Sequence, residues 1–141
     1  LHRRLEADVA GSATLLAAEA VLLGRAAMGE RLHDIAFDDI WRIRRDGVLV
    51  FAEGTRLDGD AVAGMAGKAT GGGAGAFATV VMVSPDAAAR LDAAREILAD
   101  GGCEAGASAW NGMLVARILA PGGQALRASL TRLLEMLRDA A

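Results

Sequence analysis

Trp41-Arg42-Ile43-Arg44-Arg45-Asp46-Gly47-Val48-Leu49-Val50-Phe51 reads as two β-strands folded back on one another. At its centre, Asp46-Gly47 tolerates the positive φ angles that a two-residue hairpin turn demands. On either side, apolar and polar residues recur with the period of two that places alternate side chains on opposite faces. A hairpin centred there pairs Ile43 with Val50 and Trp41 with Ala52. On that register Phe37, Trp41, Ile43, Val48 and Val50 share the face expected to be buried, while Arg42, Arg44 and Glu53 lie on the other beside Ile40 and Phe51.

Upstream, Arg3 to Val9 and Ala13 to Leu23 are short alternating or apolar runs separated by Gly11-Ser12, and both read as strands. Downstream, Gly59 to Gly75 is rich in Gly and Ala with little periodicity, which predicts an irregular connection with a short helical turn at Ala61–Met65. Ala76–Val83 is a continuous apolar run, as in a strand covered on both faces. Ser84 is then placed to cap a helix, Pro85 suits its first position, and Asp86 opposes the positive end of its dipole. Ala87, Leu91, Ala94 and Leu98 form the apolar stripe of that helix, and Gly101-Gly102 ends it.

A second hairpin is centred on Asn111-Gly112, with Ala105, Ala107, Ala109, Leu114, Ala116 and Ile118 on one apolar face. After Pro121-Gly122-Gly123, Leu126, Leu130, Leu133, Leu134 and Leu137 recur at threes and fours and mark a last amphipathic helix. The fold class expected is therefore α+β and β-rich. It has antiparallel sheets, hairpin turns at 46–47 and 111–112, and helices over about 85–99 and 123–138. Residues 1–141 are expected to form one region with a β-rich half (1–58), a Gly/Ala-rich connection (59–75) and a strand-helix-hairpin-helix half (76–141). Taken alone, that last half also matches a ferredoxin-like repeat lacking its final strand.

Composition narrows the function classes. Hydrophobic types make up 53% of the 141 residues, and the net charge is −3 with a pI of about 5.3, so no positive field is available to hold a polyanion. Nucleic acid is not an expected partner. The apolar windows Leu15–Leu23 and Ala76–Val83 fall short of the roughly 20 residues of a membrane-spanning helix. Leu1-His2-Arg3-Arg4 runs straight into acid-containing sequence rather than a signal-peptide core, so a cytoplasmic protein is expected, and a start at Leu1 suggests a fragment or a processed chain. Cys103 is the sole cysteine and excludes both an intrachain disulfide and a Cys-rich zinc site.

No catalytic constellation is complete. Gly67-Lys68-Ala69 fails as a phosphate-binding loop, because the upstream glycine position holds Val62 and the Ser/Thr position holds Ala69. Ser108 and Ser129 have no His–Asp set and no nucleophile elbow. His2, His33 and Cys103 are the only soft metal ligands. Asp34 and Asp38 face away from His33 on a strand, so a solvent-facing role for these acids and for Asp39 is the simpler reading. Trp41 and Trp110 read as core anchors, although Trp at a sheet edge also serves interfaces.

Glu19 is the informative residue. It interrupts Leu15-Leu16-Ala17-Ala18 and Ala20-Val21-Leu22-Leu23, where an ionised carboxylate needs a cation, donors or water. Arg25 and Glu30 follow in the turn-permitting Gly24-Arg25-Ala26-Ala27-Met28-Gly29-Glu30, so Glu19, Arg25 and Glu30 are candidates for a charged cluster. A structural ion pair at a strand end and a functional role both produce this pattern.

The stretch from Leu16 to Glu30, with Glu19 before an apolar run, then Gly24-Arg25 and Gly29-Glu30, resembles the urease accessory protein UreD (UreH) family. Trp41-Arg42-Ile43-Arg44-Arg45-Asp46-Gly47, Phe51-Ala52-Glu53 and Arg56-Leu57-Asp58-Gly59 resemble the family's next strand pair. Gly106 to Gly112 and Val115-Ala116-Arg117 resemble its late hairpin. The family's N-terminal half, with its Gly-Gly-x-x-x-Gly-Asp and Thr-Gln segments, and its short Pro-Arg-Val-Trp-like ending are absent, so the likeness is to the C-terminal half.

That resemblance implies a non-catalytic maturation scaffold that binds UreF and, through it, the GTPase UreG, and docks on apo-urease. Nickel would be in transit rather than permanently bound, passing weak carboxylate and polar contacts. Glu19, Arg25 and Glu30 are then candidate channel-lining or interface charges. The rival expectation is a small-molecule binding or enzymatic α+β domain, with a pocket over the sheet containing Val80 and Val115. Self-association through exposed strand edges is a further one.

Overall fold

A computed structural model describes residues 1–24 and 34–139. The strand β1 (His2–Val9) is followed by β2 (Leu15–Leu22), β3 (Ile35–Arg45) and β4 (Val48–Gly59), and by a single helical turn α1 (Ala61–Gly64). Then come β5 (Ala76–Val83), a 3₁₀ turn at Ala87–Arg90, α2 (Leu91–Ala99), β6 (Glu104–Trp110), β7 (Met113–Ala120) and α3 (Gly123–Asp139). Both expected hairpin turns are present. Asp46 and Gly47 have φ of 49° and 78°, and Asn111 and Gly112 have 48° and 71°, the left-handed values of a tight hairpin.

The β3–β4 register departs from the simple hairpin. Arg45 pairs with Val48 and Arg44 with Leu49, but Ile43 then pairs with Phe51 rather than Val50, and Trp41 with Glu53 rather than Ala52. A β-bulge at Ile43/Arg44 absorbs one residue of β4 and exchanges the faces beyond it. Phe51 therefore turns inward, where it is 6% exposed and meets Trp41 edge-on with ring centroids 6.4 Å apart. Val48, expected inside, is 67% exposed at the hairpin tip. Burying the only aromatic ring of β4 is worth about 2–3 kcal/mol.

The strands form two sheets. β1, β3 and β4 make the first, in that order, with β1 parallel to β3 and β4 antiparallel to it. β2, β5, β7 and β6 make the second, antiparallel throughout. Since β2 pairs along its full length with β5, the early and late parts of the chain share this sheet. Its two faces carry different partners. Ala76, Ala78, Val80, Met82, Leu114, Ala116 and Ile118 pack under Leu98, Leu126, Leu133 and Leu137 of α2 and α3. On the reverse face Ala17, Val81, Val83, Met113 and Val115 pack against Val9, Trp41, Ile43 and Phe51 of the first sheet. A smaller cluster of Leu23, Ala61 and Met65 closes the far end of the sandwich.

Sheet, sheet and helices thus form three layers, and the unbroken apolar run of β5 reflects its cover on both faces. Val80 and Val115 are 0% and 3% exposed on opposite faces, so packed side chains occupy the space where a ligand pocket was a rival expectation. The helix expected from about residue 85 tightens at its start. Ser84 Oγ does accept the Asp86 N–H at 3.3 Å, but the next turn is 3₁₀ and the α-helix proper begins at Leu91. Trp110 is 45% exposed on the edge strand β6.

Ile43 is fully buried between the sheets. Ile43→Ala is expected to lower the unfolding free energy by about 2–5 kcal/mol with an unchanged denaturant slope, as read by urea titration.

Candidate functional site: a polar row across the sandwich

Strand parity builds the site. In β1 the residues turned toward the second sheet are Arg3, Leu5, Ala7 and Val9, the half-buried or buried members of an alternating strand. In β3 they are Phe37, Asp39, Trp41 and Ile43. The register aligns Arg3 with Asp39 and Asp39 with Thr55, which gives the first sheet one polar row across its inner face. In the second sheet Glu19 aligns with Thr79 and Thr79 with Arg117, which gives a matching row. The two rows sit between the apolar cluster around Ile43 and the one around Leu23.

Ion pairs join them. Arg3 reaches across the sandwich to Glu19, and its Nε lies 3.9 Å from Asp39 Oδ1. The Arg3 guanidinium also lies over the Phe37 ring, 4.9 Å from its centroid, a cation–π contact. Asp39 accepts the Trp41 indole N–H at 2.7 Å, so its second oxygen is fixed in place. At the other flank Glu53 pairs with Arg117 across the sheets, and Thr79 Oγ1 donates to Glu53 Oε1 at 3.5 Å.

Three carboxylates therefore meet two guanidiniums, and the row keeps an acidic excess. The side chains of Asp39, Glu19 and Glu53 are 5%, 14% and 19% exposed, low enough that each depends on its partner for the charge to be tolerated. A cleft of about 320 Å³ lined by Arg3, Glu19, Asp39 and Trp41 opens at the β1–β2 edge. One of about 220 Å³ lined by Glu53, Thr55, Thr79 and Arg117 opens at the opposite flank. Chemically, the row offers hard oxygen ligands, each already paired with a guanidinium or an N–H donor.

Glu19 was singled out by sequence and faces inward on β2, and its cation is Arg3. Arg25 and Glu30 lie outside the described residues. Arg3, Asp39, Glu53, Thr79 and Arg117 were not foreseen as site residues. Asp39 corrects the solvent-face reading, because it is 4% exposed and inside. Its signal was legible, since a residue midway between Phe37 and Trp41 shares their face, as Arg3 shares that of Leu5 and Val9. Glu53 was hidden by the bulge. Among the described residues, no three His, Cys, Asp or Glu side chains gather as a metal site, and no helix is long and apolar enough to cross a membrane.

The described residues thus form a two-sheet β-sandwich with helices on one outer face, its inward charged residues paired with one another across the interior. None of these groups is set as nucleophile and base. The model of the UreD urease accessory protein family matches residues 1–141, and the chain belongs to that family. It is 55% identical to urease accessory protein UreD 2 of Methylorubrum populi over 141 residues, covering 99% of this chain and 48% of that one. It is 47% identical to UreD of Xanthobacter autotrophicus (99% and 48%) and 48% identical to UreD of Methylobacterium sp. (98% and 51%). The chain spans about half the length of the curated relatives it matches.

Removing Arg3 strands Glu19 beside Asp39. Arg3→Ala is expected to cost about 1–3 kcal/mol of stability, and a double-mutant cycle with Glu19→Gln to give a coupling of about 0.5–3 kcal/mol. Urea unfolding of the four proteins measures it.

Proposed function

We propose that this chain is part of a urease maturation scaffold without catalytic activity, acting with UreF and UreG to hand nickel to apo-urease. Membership of the UreD family carries the accessory role. The acidic row across the sandwich carries the ion-handling part. Nickel is here cargo rather than a resident cofactor, and the chain needs groups that hold a hydrated divalent ion briefly and let it leave.

Paired carboxylates meet that need. Oxygen ligands bind such ions weakly and exchange readily with water, whereas a closed set of His and Cys would trap the ion. Glu19 and Asp39 at one mouth and Glu53 at the other are reached from the two flanking clefts, and Arg3 and Arg117 pair with these acids between passages. Because Glu19 and Glu53 are each paired with a guanidinium, an ion that engages either acid displaces Arg3 or Arg117 from it. Arg25 and Glu30 remain candidates for interface or channel charges, on the family resemblance alone.

The test is a nickel-dependent urease activation assay with UreF, UreG and a UreD in which this sequence replaces the matching half of the Methylorubrum populi relative. Glu19→Ala and Asp39→Asn are expected to reduce activation severalfold while the accessory complex still forms on size-exclusion chromatography. Normal activation by both variants would remove the ion route.

A further inference from the structure

The second sheet ends at β2, and among the described residues no strand pairs with its outer edge. The Leu23 N–H donates to the Gly75 carbonyl at 2.9 Å, continuing an antiparallel ladder that runs from Leu15↔Val83 to Leu22↔Ala76 without a register break. Antiparallel pairing alternates, so the odd residues of β2 bond to β5. The N–H and C=O groups of Leu16, Ala18, Ala20 and Leu22 consequently point away from β5, along the free edge.

The same even residues carry their side chains toward the helix layer. There a groove of about 560 Å³ runs beside the edge, lined by Ala20 and Leu22 of β2 and by Leu126, Leu130 and Leu134 of α3. Leu22 is 54% exposed at its rim. On the other side of β2, a second cleft of about 450 Å³ is lined by Val21, Leu23, Ile35 and Phe37. Largely apolar hollows thus flank the edge on both faces of the sheet, with Arg127 in the lining of the first and Arg3 in that of the second.

Both edges of the first sheet are protected in ways that β2 is not. β1 carries Arg4, Glu6 and Asp8 on its exposed side, and β4 carries Arg56, Asp58 and a bulge. Charge and irregularity of this kind discourage strand addition. Leu15-Leu16-Ala17-Ala18-Glu19-Ala20-Val21-Leu22 has neither Lys nor Pro, and its one charge turns inward to Arg3. Such an edge is built to be paired.

We propose that the free edge of β2 accepts a strand from the remainder of a full-length UreD chain, extending the second sheet over α3. The chain covers only 48% of its Methylorubrum populi relative, so a comparable length of family sequence is left to supply the strand. Tethered in one polypeptide, that strand meets the edge at high effective concentration. Its alternate side chains fill the α3 groove and the inner cleft, so it is apolar on both faces where it passes Leu22, as a central strand is. Family membership and the inward turn of Glu19 to Arg3 are the premises shared with the ion route.

The experiment co-expresses this chain with the unmatched remainder of the Methylorubrum populi relative as a separate polypeptide. Light scattering is expected to show a one-to-one complex, with amide exchange at Ala18, Ala20 and Leu22 slowed by at least an order of magnitude relative to this chain alone. Ala20→Pro removes an N–H that faces outward only, so it is expected to leave the circular dichroism of this chain unchanged and abolish the complex. Leu130→Glu, which charges the groove without touching the strand, serves if the proline variant fails to fold and is expected to do the same.

A complex that leaves those amides exchanging freely, or that either folded variant forms normally, overturns the proposal. So does a homodimer of this chain through β2 that the remainder does not displace. Neither urease nor nickel is present in the assay, so its outcome is independent of whether ions pass along the polar row.

Discussion

A carboxylate set in the middle of an apolar strand must meet a cation or lose its charge, and Glu19 meets Arg3 from the facing sheet. That contact spans the sandwich at its open side. With the Arg117–Glu53 pair on the opposite flank, it fixes which residue of one sheet lies over which residue of the other. Apolar packing alone is poor at such a task, because side chains of similar volume tolerate sliding whereas paired charges do not. The two hydrophobic clusters between the sheets lie on either side of this row.

The bulge in the β3–β4 hairpin serves the same arrangement. Without it, Phe51 and Glu53 would face solvent, the Ile43 cluster would lose its second aromatic ring, and Arg117 would lose its acid. With it, both turn inward together, since residues two apart on a strand share a face. One inserted residue near the hairpin tip thus couples a packing gain to an electrostatic one.

The helix layer has a different logic. Alanines at 76, 78, 105, 107, 109, 116 and 120 keep that face of the second sheet low, and the leucines of α2 and α3 supply the bulk. Close approach continues at Gly101, where a Cβ would come within 2.8 Å of the buried Ser129 Oγ. Helices held this tightly make α3 a firm wall, and the groove beside β2 lies where that wall meets the edge strand.

The sequence by itself determined the elements. Asp46-Gly47 and Asn111-Gly112 named both turns, the leucine spacing named α3, the continuous apolar run named β5, and the stranded charge of Glu19 named one acid that needed a partner. These signals are local, because turn chemistry and period depend on neighbouring residues. Tertiary structure alone decided the rest: that β1 joins β3 in parallel while β2 crosses to the other sheet, that Phe51 and Glu53 change faces at the bulge, and that Arg3 is the cation for Glu19. The reason is physical. Which strands become neighbours, and where a register slips, is settled by the summed burial of faces far apart in the chain, and no short window of sequence carries that sum.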